Sequence, residues 1–313
     1  MSNKKFLVTG GAGFIGSNIV EELLKQGNSV RVLDNFSTGK RENLIEFEKD
    51  IELLEGDIRS YHIVRQAVKD IEVILHLAAL PSVPRSINDP ISTNEVNVKG
   101  TLNILDASKE AGVSRLVYAS SSSVYGNNPQ LPKKEDMPLN PLSPYAVSKL
   151  AGEKYCNVFS RLYGIETVAL RYFNVFGPKQ NPNSQYSAVI PKFIKAIKAD
   201  IQPIIYGDGT QSRDFTFVAN IVYGNILAAT KDIESGLVMN CAAHEQITLN
   251  DLVKQINAIL GKNIKPVYDN PRQGDVKHSY ADIELARNVL SYNPIVAFKE
   301  GLNKTIMAFS KSD

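Results

Sequence analysis

The chain has 313 residues, a net charge of +2, and 43% hydrophobic and 22% charged residues. This composition is typical of a globular protein with two domains or one large domain. A net charge this small argues against nucleic acid as a partner. No apolar run approaches the roughly 18 residues of a membrane span, so no membrane association is expected. Two cysteines are too few for a disulfide framework, which favours a reducing, cytoplasmic location.

The first half of the chain alternates short apolar runs with helical patterns. The predicted strands are 6–8, 29–33, 51–54, 73–75, 115–118 and 167–170, and the predicted helices are 14–27, 61–69, 92–112 and 145–163. Strands that are apolar almost throughout are typical of a parallel sheet covered by helices on both faces. The sequence therefore predicts an α/β fold with a doubly wound parallel sheet of the Rossmann type.

The second half of the chain has a looser pattern, and a stretch rich in proline and asparagine at 177–183 predicts a domain boundary. Beyond it we predict strands at 203–206 and 237–240 and helices at 188–199, 216–230, 248–260, 282–290 and 298–310. Thr248, three residues before Asp251, is a helix N-cap signal. We expect a Rossmann domain over 1–176, to which about 214–242 returns. A smaller, interleaved C-terminal α/β domain would comprise 177–213 and 243–313.

A glycine-rich loop lies between the first predicted strand and the first predicted helix. Gly10, Gly13 and Gly16 allow a tight turn, close approach of a pyrophosphate to the backbone, and close packing of helix on sheet. Asp34 ends the second strand, 18 residues after Gly16. A carboxylate there accepts hydrogen bonds from ribose hydroxyls and repels a 2′-phosphate, which favours NAD over NADP.

Three basic residues keep NADP open as an alternative, because Arg31, Lys40 and Arg41 lie near Asp34 in the sequence. The ends of the third and fourth strands should line the same crevice, where the strand order reverses. The predicted cofactor-binding residues are Gly10, Gly13, Phe14, Ile15, Gly16, Asp34, Asn35, Asp57, Ile58, Leu77, Ala78, Ala79, Asn97, Ser120, Tyr145, Lys149 and Tyr172.

Tyr145 and Lys149 open a predicted helix and share one of its faces, because they are four residues apart. A free tyrosine, with a pKa of about 10, is a poor base at neutral pH. The Lys149 ammonium and a positively charged nicotinamide should favour the phenolate and lower its pKa. A cluster of four serines, 120–123, ends the fifth predicted strand and would face the same crevice. Tyr145 is therefore a candidate general base, and the serines are candidate substrate ligands.

Glycine loop, serine cluster and Tyr-x-x-x-Lys, in this order and on these elements, resemble the extended short-chain dehydrogenase/reductase superfamily. Within it, the whole chain resembles the nucleotide-sugar 4-epimerases. The resemblance implies a catalytic group of Ser121, Tyr145 and Lys149, a homodimer that pairs helices 92–112 and 145–163, and a C-terminal domain that binds the nucleotide sugar.

The resemblance also implies a set of substrate ligands. Asn174 of Arg-Tyr-Phe-Asn corresponds to an asparagine that binds diphosphate, and Arg213 and Arg272 correspond to arginines that contact phosphate. Asp275 would bind ribose, and the small Ser279 would leave room for an N-acetyl group beside C2 of the sugar. The predicted substrate-binding residues are Ser82, Arg85, Ser121, Ser122, Tyr145, Asn174, Val189, Tyr206, Arg213, Arg272, Asp275 and Ser279.

Ser122 and Ser123 occupy positions where related dehydratases carry an acid pair and related decarboxylases a glutamate, which favours simple epimerisation. The expected reaction inverts C4 of a UDP-sugar through a transient 4-keto sugar with bound NAD. UDP-N-acetylglucosamine and its galactose epimer are the preferred pair, and UDP-glucose and UDP-galactose are a possible second pair. The alternatives are a UDP-uronic acid 4-epimerase, another NAD(P)-dependent nucleotide-sugar oxidoreductase, and an NAD-binding regulatory protein without turnover. The four histidines show no ligand spacing, so no metal is expected.

Overall fold

The computed structural model describes residues 4–181, 188–271 and 277–310. The strands are β1 (Lys5–Thr9), β2 (Ser29–Asp34), β3 (Ile51–Glu55), β4 (Val73–His76), β5 (Arg115–Ser121), β6 (Glu166–Tyr172), β7 (Ile204–Tyr206), β8 (Ser212–Arg213), β9 (Leu237–Cys241), β10 (Ile247–Thr248) and β11 (Val267–Asp269). The α-helices are α1 (Phe14–Lys25), α2 (Tyr61–Val68), α3 (Val83–Asn88), α4 (Pro90–Asn94), α5 (Gly100–Ala111), α6 (Pro144–Tyr163), α7 (Val189–Lys198), α8 (Val218–Thr230), α9 (Leu249–Leu260), α10 (Glu284–Leu290) and α11 (Phe298–Ser310).

Seven parallel strands form one sheet in the order β3-β2-β1-β4-β5-β6-β9. The chain winds outward from β1 in one direction through β3 and then crosses to β4, so the strand order reverses between β1 and β4. The predicted doubly wound α/β fold is therefore confirmed. Strand β9 extends the sheet beyond β6, and the second half of the chain adds two small sheets, β8 with β10 and β7 with β11.

The sheet is buried on both faces because its strands are apolar at successive positions. Phe6 and Val8 of β1 face one hydrophobic core, and Leu7, between them, faces the other. The same alternation on β2 and β4 assigns neighbouring side chains to opposite cores. The carboxyl ends of the strands carry polar side chains such as Asp34 and Ser120, and they supply the functional sites described below.

Several details differ from the sequence analysis, which did not predict the short strands β8, β10 and β11. The predicted helix 92–112 is a helical run from Pro90 to Ala111 that includes a π-helical turn, Glu95–Lys99. Helix α3 was not predicted, because a segment of six residues that contains Pro84 is too short to show a helical pattern. The predicted N-cap of α9 is confirmed, since Thr248 Oγ1 accepts from the Asp251 amide at 3.0 Å.

Helix α6 is the longest element, with 20 residues, and begins at the N-cap Ser143 followed by Pro144. It lies against β5 at Gly152, where an added Cβ would be 2.2 Å from Tyr118 Oη. This close approach sets the distance between α6 and the sheet. In the part of the chain that the structure describes, neither α6 nor any other helix is long and apolar enough to cross a membrane.

Gly152→Ala should destabilise the fold, because the new methyl group has no space beside Tyr118. Overpacking costs about 1–3 kcal/mol, and the better helix propensity of alanine offsets only about 1 kcal/mol. Urea unfolding should show a loss of about 1–2 kcal/mol in the free energy of unfolding. An unchanged midpoint and slope would contradict the close packing of α6 on β5.

Candidate active site

A cleft of about 300 Å³ lies at the carboxyl edge of the sheet, where the strand order reverses. This is the position at which open α/β sheets bind ligands. Sixteen of the predicted cofactor-binding residues line it: Gly10, Gly13, Phe14, Ile15, Gly16, Asp34, Asn35, Asp57, Ile58, Leu77, Ala78, Ala79, Ser120, Tyr145, Lys149 and Tyr172. The parallel strands bring together these residues, which are distant in sequence, because their carboxyl ends meet at one edge.

The glycine loop has the shape that a dinucleotide pyrophosphate requires. A Cβ on Gly16 would lie 2.2 Å from Gly10 O, and a Cβ on Gly10 would lie 2.8 Å from the Ala78 amide nitrogen. The N-cap of α1 is Gly13, which has no side chain to cap the first turn. The amide groups of that turn therefore remain available for an anion at the positive end of the helix dipole. The loop fits NAD.

Asp34 and Asp57 lie where the adenosine ribose of a dinucleotide is expected. The two carboxylate oxygens of Asp34 accept from the amides of Ala12 at 2.9 Å and Phe36 at 2.8 Å, which fixes the side chain in the cleft. Burial raises the pKa of Asp34, and the two amide hydrogen bonds oppose this increase. Asp57 accepts from Asn35, and a hydrogen bond from Arg59 is the largest of the causes that lower its pKa to about 2.

Two of the basic residues that left NADP open interact elsewhere. Arg31 is buried and donates to the carbonyl oxygens of Ala67 and Lys69, both at 2.7 Å. Arg41 pairs with Glu55 and lies 4.2 Å from the centre of the Phe36 ring. Neither arginine lines the cleft among the described residues, which favours NAD.

Asn97, also predicted to bind the cofactor, is almost fully buried in the π-helical turn. Its side chain accepts from the Leu80 amide at 2.8 Å and donates to Leu80 O at 3.2 Å. It also donates to Ser148 Oγ at 3.0 Å. The described lining of the cleft includes Leu80 but not Asn97. In this structure Asn97 therefore supports the cleft wall from behind, and the π-turn directs its side chain there.

The three predicted catalytic side chains meet where β5 ends and α6 begins. Tyr145 lies in the first turn of α6, and the Lys149 ammonium lies 6.0 Å from the centre of its ring. Lys149 Nζ donates to Ala119 O of β5 at 2.8 Å. Ser121, the last residue of β5, interacts with the side chain of Tyr145. A phenol, a cation and a hydroxyl are therefore brought together at the junction of β5 and α6.

The charge states in this group are set mainly by burial. Burial raises the pKa of Tyr145, and the hydrogen bond with Ser121 partly opposes this. Burial lowers the pKa of Lys149 to about 8. The lowering of the Tyr145 pKa expected from Lys149 is therefore not present in the protein alone. The physical reason is that loss of water around the phenolate outweighs the attraction of a partly desolvated ammonium at this distance.

A second cavity, of about 290 Å³, lies beyond the cleft towards the C-terminal half. Its lining includes Asn174, Val189, Tyr206 and Arg213, which the sequence analysis assigned to the substrate. Asn174 follows Tyr172 of the cleft by two residues, so the loop after β6 joins the two cavities. A nucleoside diphosphate can be bound there by the Asn174 amide, the Tyr206 phenol and the Arg213 guanidinium, which lie beside apolar walls.

Other predicted substrate residues lie outside the described linings of both cavities. Ser82 caps α3 by accepting from the amide of Arg85, and Ser122 begins the single helical turn that follows β5. The amide of Ser279 donates to Ser212 O at 3.0 Å, which pairs the segment with β8. Arg272 and Asp275 lie outside the described residues.

Several lining residues were missed by the sequence analysis. Ser37 and Thr38 border the cleft directly after β2, and their position after a strand end was a usable signal. Lys192 and Phe193 line the second cavity one helical turn after Val189, as the helix period requires. Gln211 had no local signal, because only the folding of β8 against β10 brings it there.

Asp214 was also missed, and it organises the second cavity from behind. It is fully buried, and its two oxygens accept from the amides of Ala243 at 3.1 Å and Ala281 at 3.2 Å. Burial raises its pKa to about 7, against these amide hydrogen bonds. Because Asp214 follows Arg213, it fixes the strand that carries this arginine.

Fold and site together define an NAD-binding enzyme with a tyrosine and a lysine, Tyr145 and Lys149, in the lining of its cofactor cleft. The model of the NAD dependent epimerase/dehydratase family matches residues 6–242. The chain is 38% identical over 302 residues to a putative UDP-glucose 4-epimerase of Methanocaldococcus jannaschii, with 96% of both chains covered. It is 35% identical over 312 residues to a UDP-glucuronate 4-epimerase of Thermodesulfobacterium geofontis, covering 96% of this chain and 94% of that one.

Among solved structures, the chain resembles a UDP-N-acetylglucosamine 4-epimerase from Methanobrevibacter ruminantium in complex with UDP-N-acetylmuramic acid. The TM-score is 0.95, with 42% identity over all of both chains. The chain belongs to the NAD-dependent epimerase/dehydratase family, as the resemblance in its motifs implied. It is an isomerase, and NAD is its cofactor.

Tyr145→Phe removes the phenolic oxygen and keeps the ring that lines the cleft. Turnover should fall by about 10²–10⁴, the usual contribution of an acid–base group. NAD bound to the purified protein, released by denaturation and assayed enzymatically, should be unchanged. Near-normal turnover in a variant with a full content of NAD would exclude Tyr145 as the base.

Proposed function

We propose that this enzyme inverts C4 of a UDP-sugar and prefers UDP-N-acetylglucosamine and UDP-N-acetylgalactosamine. The observation that carries the proposal is the meeting of Ser121, Tyr145 and Lys149 where β5 ends and α6 begins. Tyr145 and Lys149 line the cleft, and a second cavity lies next to it. All three residues are needed for redox chemistry, whereas a regulatory protein would need only the glycine loop.

In the proposed reaction, Tyr145 accepts the proton of the C4 hydroxyl, and Ser121 orients both oxygens by hydrogen bonding. Lys149, fixed by Ala119 O, stabilises the Tyr145 phenolate that exists before the proton is accepted and after it is returned. The residues that line the cleft would hold NAD, which would supply reversible hydride transfer at C4. Arg213 and Asn174 hold the diphosphate while the transient 4-keto sugar turns, so remote binding energy retains the intermediate.

The end of β5 favours epimerisation over elimination of water. Ser122 and Ser123 follow Ser121 in the turn before Gly126, and a dehydratase would need an acid there to protonate the leaving hydroxyl. Serine hydroxyls are too weakly acidic for that role. The product should therefore have the same elemental composition as the substrate.

The N-acetylated pair is favoured by the likeness to a UDP-N-acetylglucosamine 4-epimerase. The family resemblance also places the small Ser279 beside C2 of the sugar, although the described linings of the two cavities do not include this residue. Relatives of similar identity act on other UDP-sugars, as the names UDP-glucose and UDP-glucuronate 4-epimerase state. A glucuronate substrate would place a carboxylate at C6, which requires a cationic or donor-rich wall.

Ser279→Tyr should reduce kcat/KM for UDP-N-acetylglucosamine strongly and leave that for UDP-glucose less affected. A filled pocket loses about 1–3 kcal/mol for each added group it cannot accommodate. Both sugars, and UDP-glucuronic acid, are incubated with each protein without added NAD, and the 4-epimers are separated chromatographically. An unchanged ratio between the two sugars would remove Ser279 as the specificity residue. Turnover of UDP-glucuronic acid alone would show a uronic acid epimerase.

We further propose that the enzyme is a homodimer. Large apolar side chains are exposed on α3, α4 and α6, namely Ile87, Ile91, Val147, Val158 and Leu162. Val147, Val158 and Leu162 lie on one stripe of α6, since separations of 11 and 15 residues return to the same face. Contiguous exposed apolar surface is typical of an interface. The surface favours pairing through α6 and the helices before α5, rather than through all of 92–112.

Leu162→Glu should therefore give a monomer, because a desolvated carboxylate would lie in the interface. Light scattering after size-exclusion chromatography measures the mass. Ile45→Glu is the matched control, since Ile45 is 68% exposed and Leu162 is 70% exposed, on different surfaces. A wild-type protein that is already monomeric, or a Leu162 variant that stays dimeric, would contradict this interface.

The cysteines agree with a cytoplasmic location. Cys156 and Cys241 are buried and not linked to each other. Buried thiols of this kind are stable in a reducing compartment. We therefore propose that the enzyme acts in the cytoplasm.

A further inference from the structure

A buried ion pair lies next to the cofactor cleft. The side chains of Glu153 on α6 and Arg171 on β6 are each only 3% exposed. Arg171 Nε donates to Glu153 Oε1 and Arg171 Nη2 donates to Glu153 Oε2, both at 2.9 Å. Two parallel hydrogen bonds of this kind hold both planar groups in one orientation. The ion pair therefore belongs to the protein interior and not to its surface.

The carboxylate of this pair also holds the end of β5. Ser120 Oγ donates to Glu153 Oε1 at 2.5 Å, and Ser120 lines the cofactor cleft. The preceding residue, Ala119, accepts from Lys149 Nζ through its carbonyl oxygen. Glu153 thus anchors the residue next to the carbonyl that positions the Lys149 ammonium.

Glu153 also contributes charge to the surroundings of Lys149. Glu153 is four residues after Lys149, so the two share a face of α6. The titratable groups that act on Lys149 or pack against it in the described structure are Tyr145, Glu153 and Cys156 of α6, Tyr118 of β5 and His76 of β4. Among these, Glu153 supplies the carboxylate charge. Burial lowers the pKa of Lys149, and Cys156 and then Glu153 oppose this decrease.

We propose that Glu153 is a positioning residue of the redox site, which neutralises Arg171 behind the catalytic group and anchors Ser120 at the end of β5. It touches neither substrate nor reacting atoms and acts through Ser120 and Lys149. The proposal rests on the function proposed above. A purely structural pair would stabilise the fold without affecting the titration of Lys149.

Glu153→Gln tests the charge, because it keeps the shape and leaves Arg171 uncompensated. An added positive charge favours the phenolate of Tyr145 and disfavours the ammonium of Lys149, so both pKa values should fall. The bell-shaped pH profile of kcat should shift to lower pH by about one unit. KM should change little, since Glu153 is remote from the substrate. In NMR of lysine-labelled protein, the Lys149 signal, assigned with Lys149→Met, should titrate at lower pH by a similar amount.

Glu153→Asp tests the anchor, because it keeps the charge opposite Arg171 and withdraws the oxygens from Ser120. The pH profile should stay in place while kcat falls about 10-fold, the scale of a small misplacement in an active site. Glu166→Gln is the matched control. It breaks the ion pair between Glu166 and Arg115, which lie side by side at the amino ends of β6 and β5, far from the catalytic group. The pH profile and kcat should therefore be unchanged.

The outcomes separate the two proposals. If Glu153→Gln lowers the thermal stability but leaves the pH profile, the Lys149 titration and kcat at their wild-type values, the pair has only a structural role. That result would overturn this proposal. If Glu153→Gln does not fold, Glu153→Asp decides, and wild-type kcat in that variant overturns it. Failure of the proposed function appears independently, as absence of C4 epimerisation in the wild-type enzyme. The NMR titration still tests Glu153 in that case.

Discussion

The contact between Glu153 and Arg171 links the elements that form both halves of the active site. It joins α6 to β6, and through Ser120 it reaches β5. Arg171 also donates to Tyr125 Oη at 2.9 Å, and Tyr125 in turn donates to Asn240 of β9 at 2.7 Å. Each side chain of this buried network forms a hydrogen bond with the next one, which satisfies its polar atoms. An unpaired member would leave a desolvated charge or dipole, which costs several kcal/mol in a protein interior.

The same network continues into the second half of the chain. Asn240 Nδ2 donates to the carbonyl oxygens of Lys133 and Asp282, both at 2.9 Å. The segment before Asp282 carries Ser279, whose amide is bound to β8, and β8 carries Arg213. Asp214 ties this segment to the loop after β9. Hydrogen bonds to the backbone therefore join the cofactor cleft to the second cavity, which suits the proposed reaction, because its substrate would occupy both.

Most of the cofactor cleft could be predicted from the sequence, because its residues belong to local patterns with direct physical causes. Gly10, Gly13 and Gly16 are required by a close turn, and Asp34 follows a strand whose end must reach the crevice. Asn97 shows the limit of this reasoning. Its side chain is directed at Leu80 by a π-helical turn, and periodicity predicted only a continuous helix. Asp214 and Glu153 had no signal, because a buried carboxylate is recognised only by its partners.

The sequence by itself determined the α/β class, the strands of the main sheet with most of their helices, the glycine loop, and the position of Tyr145 and Lys149 on one face of a helix. These features depend on contacts within a few residues or on apolar periodicity, which each segment carries alone. Only the tertiary structure decided the charge states of the catalytic group and the partners of its buried polar residues. Desolvation depends on what covers a side chain from every direction. For Lys149 that cover comes from β4, β5 and α6, which are distant in the chain and meet only when the sheet is wound.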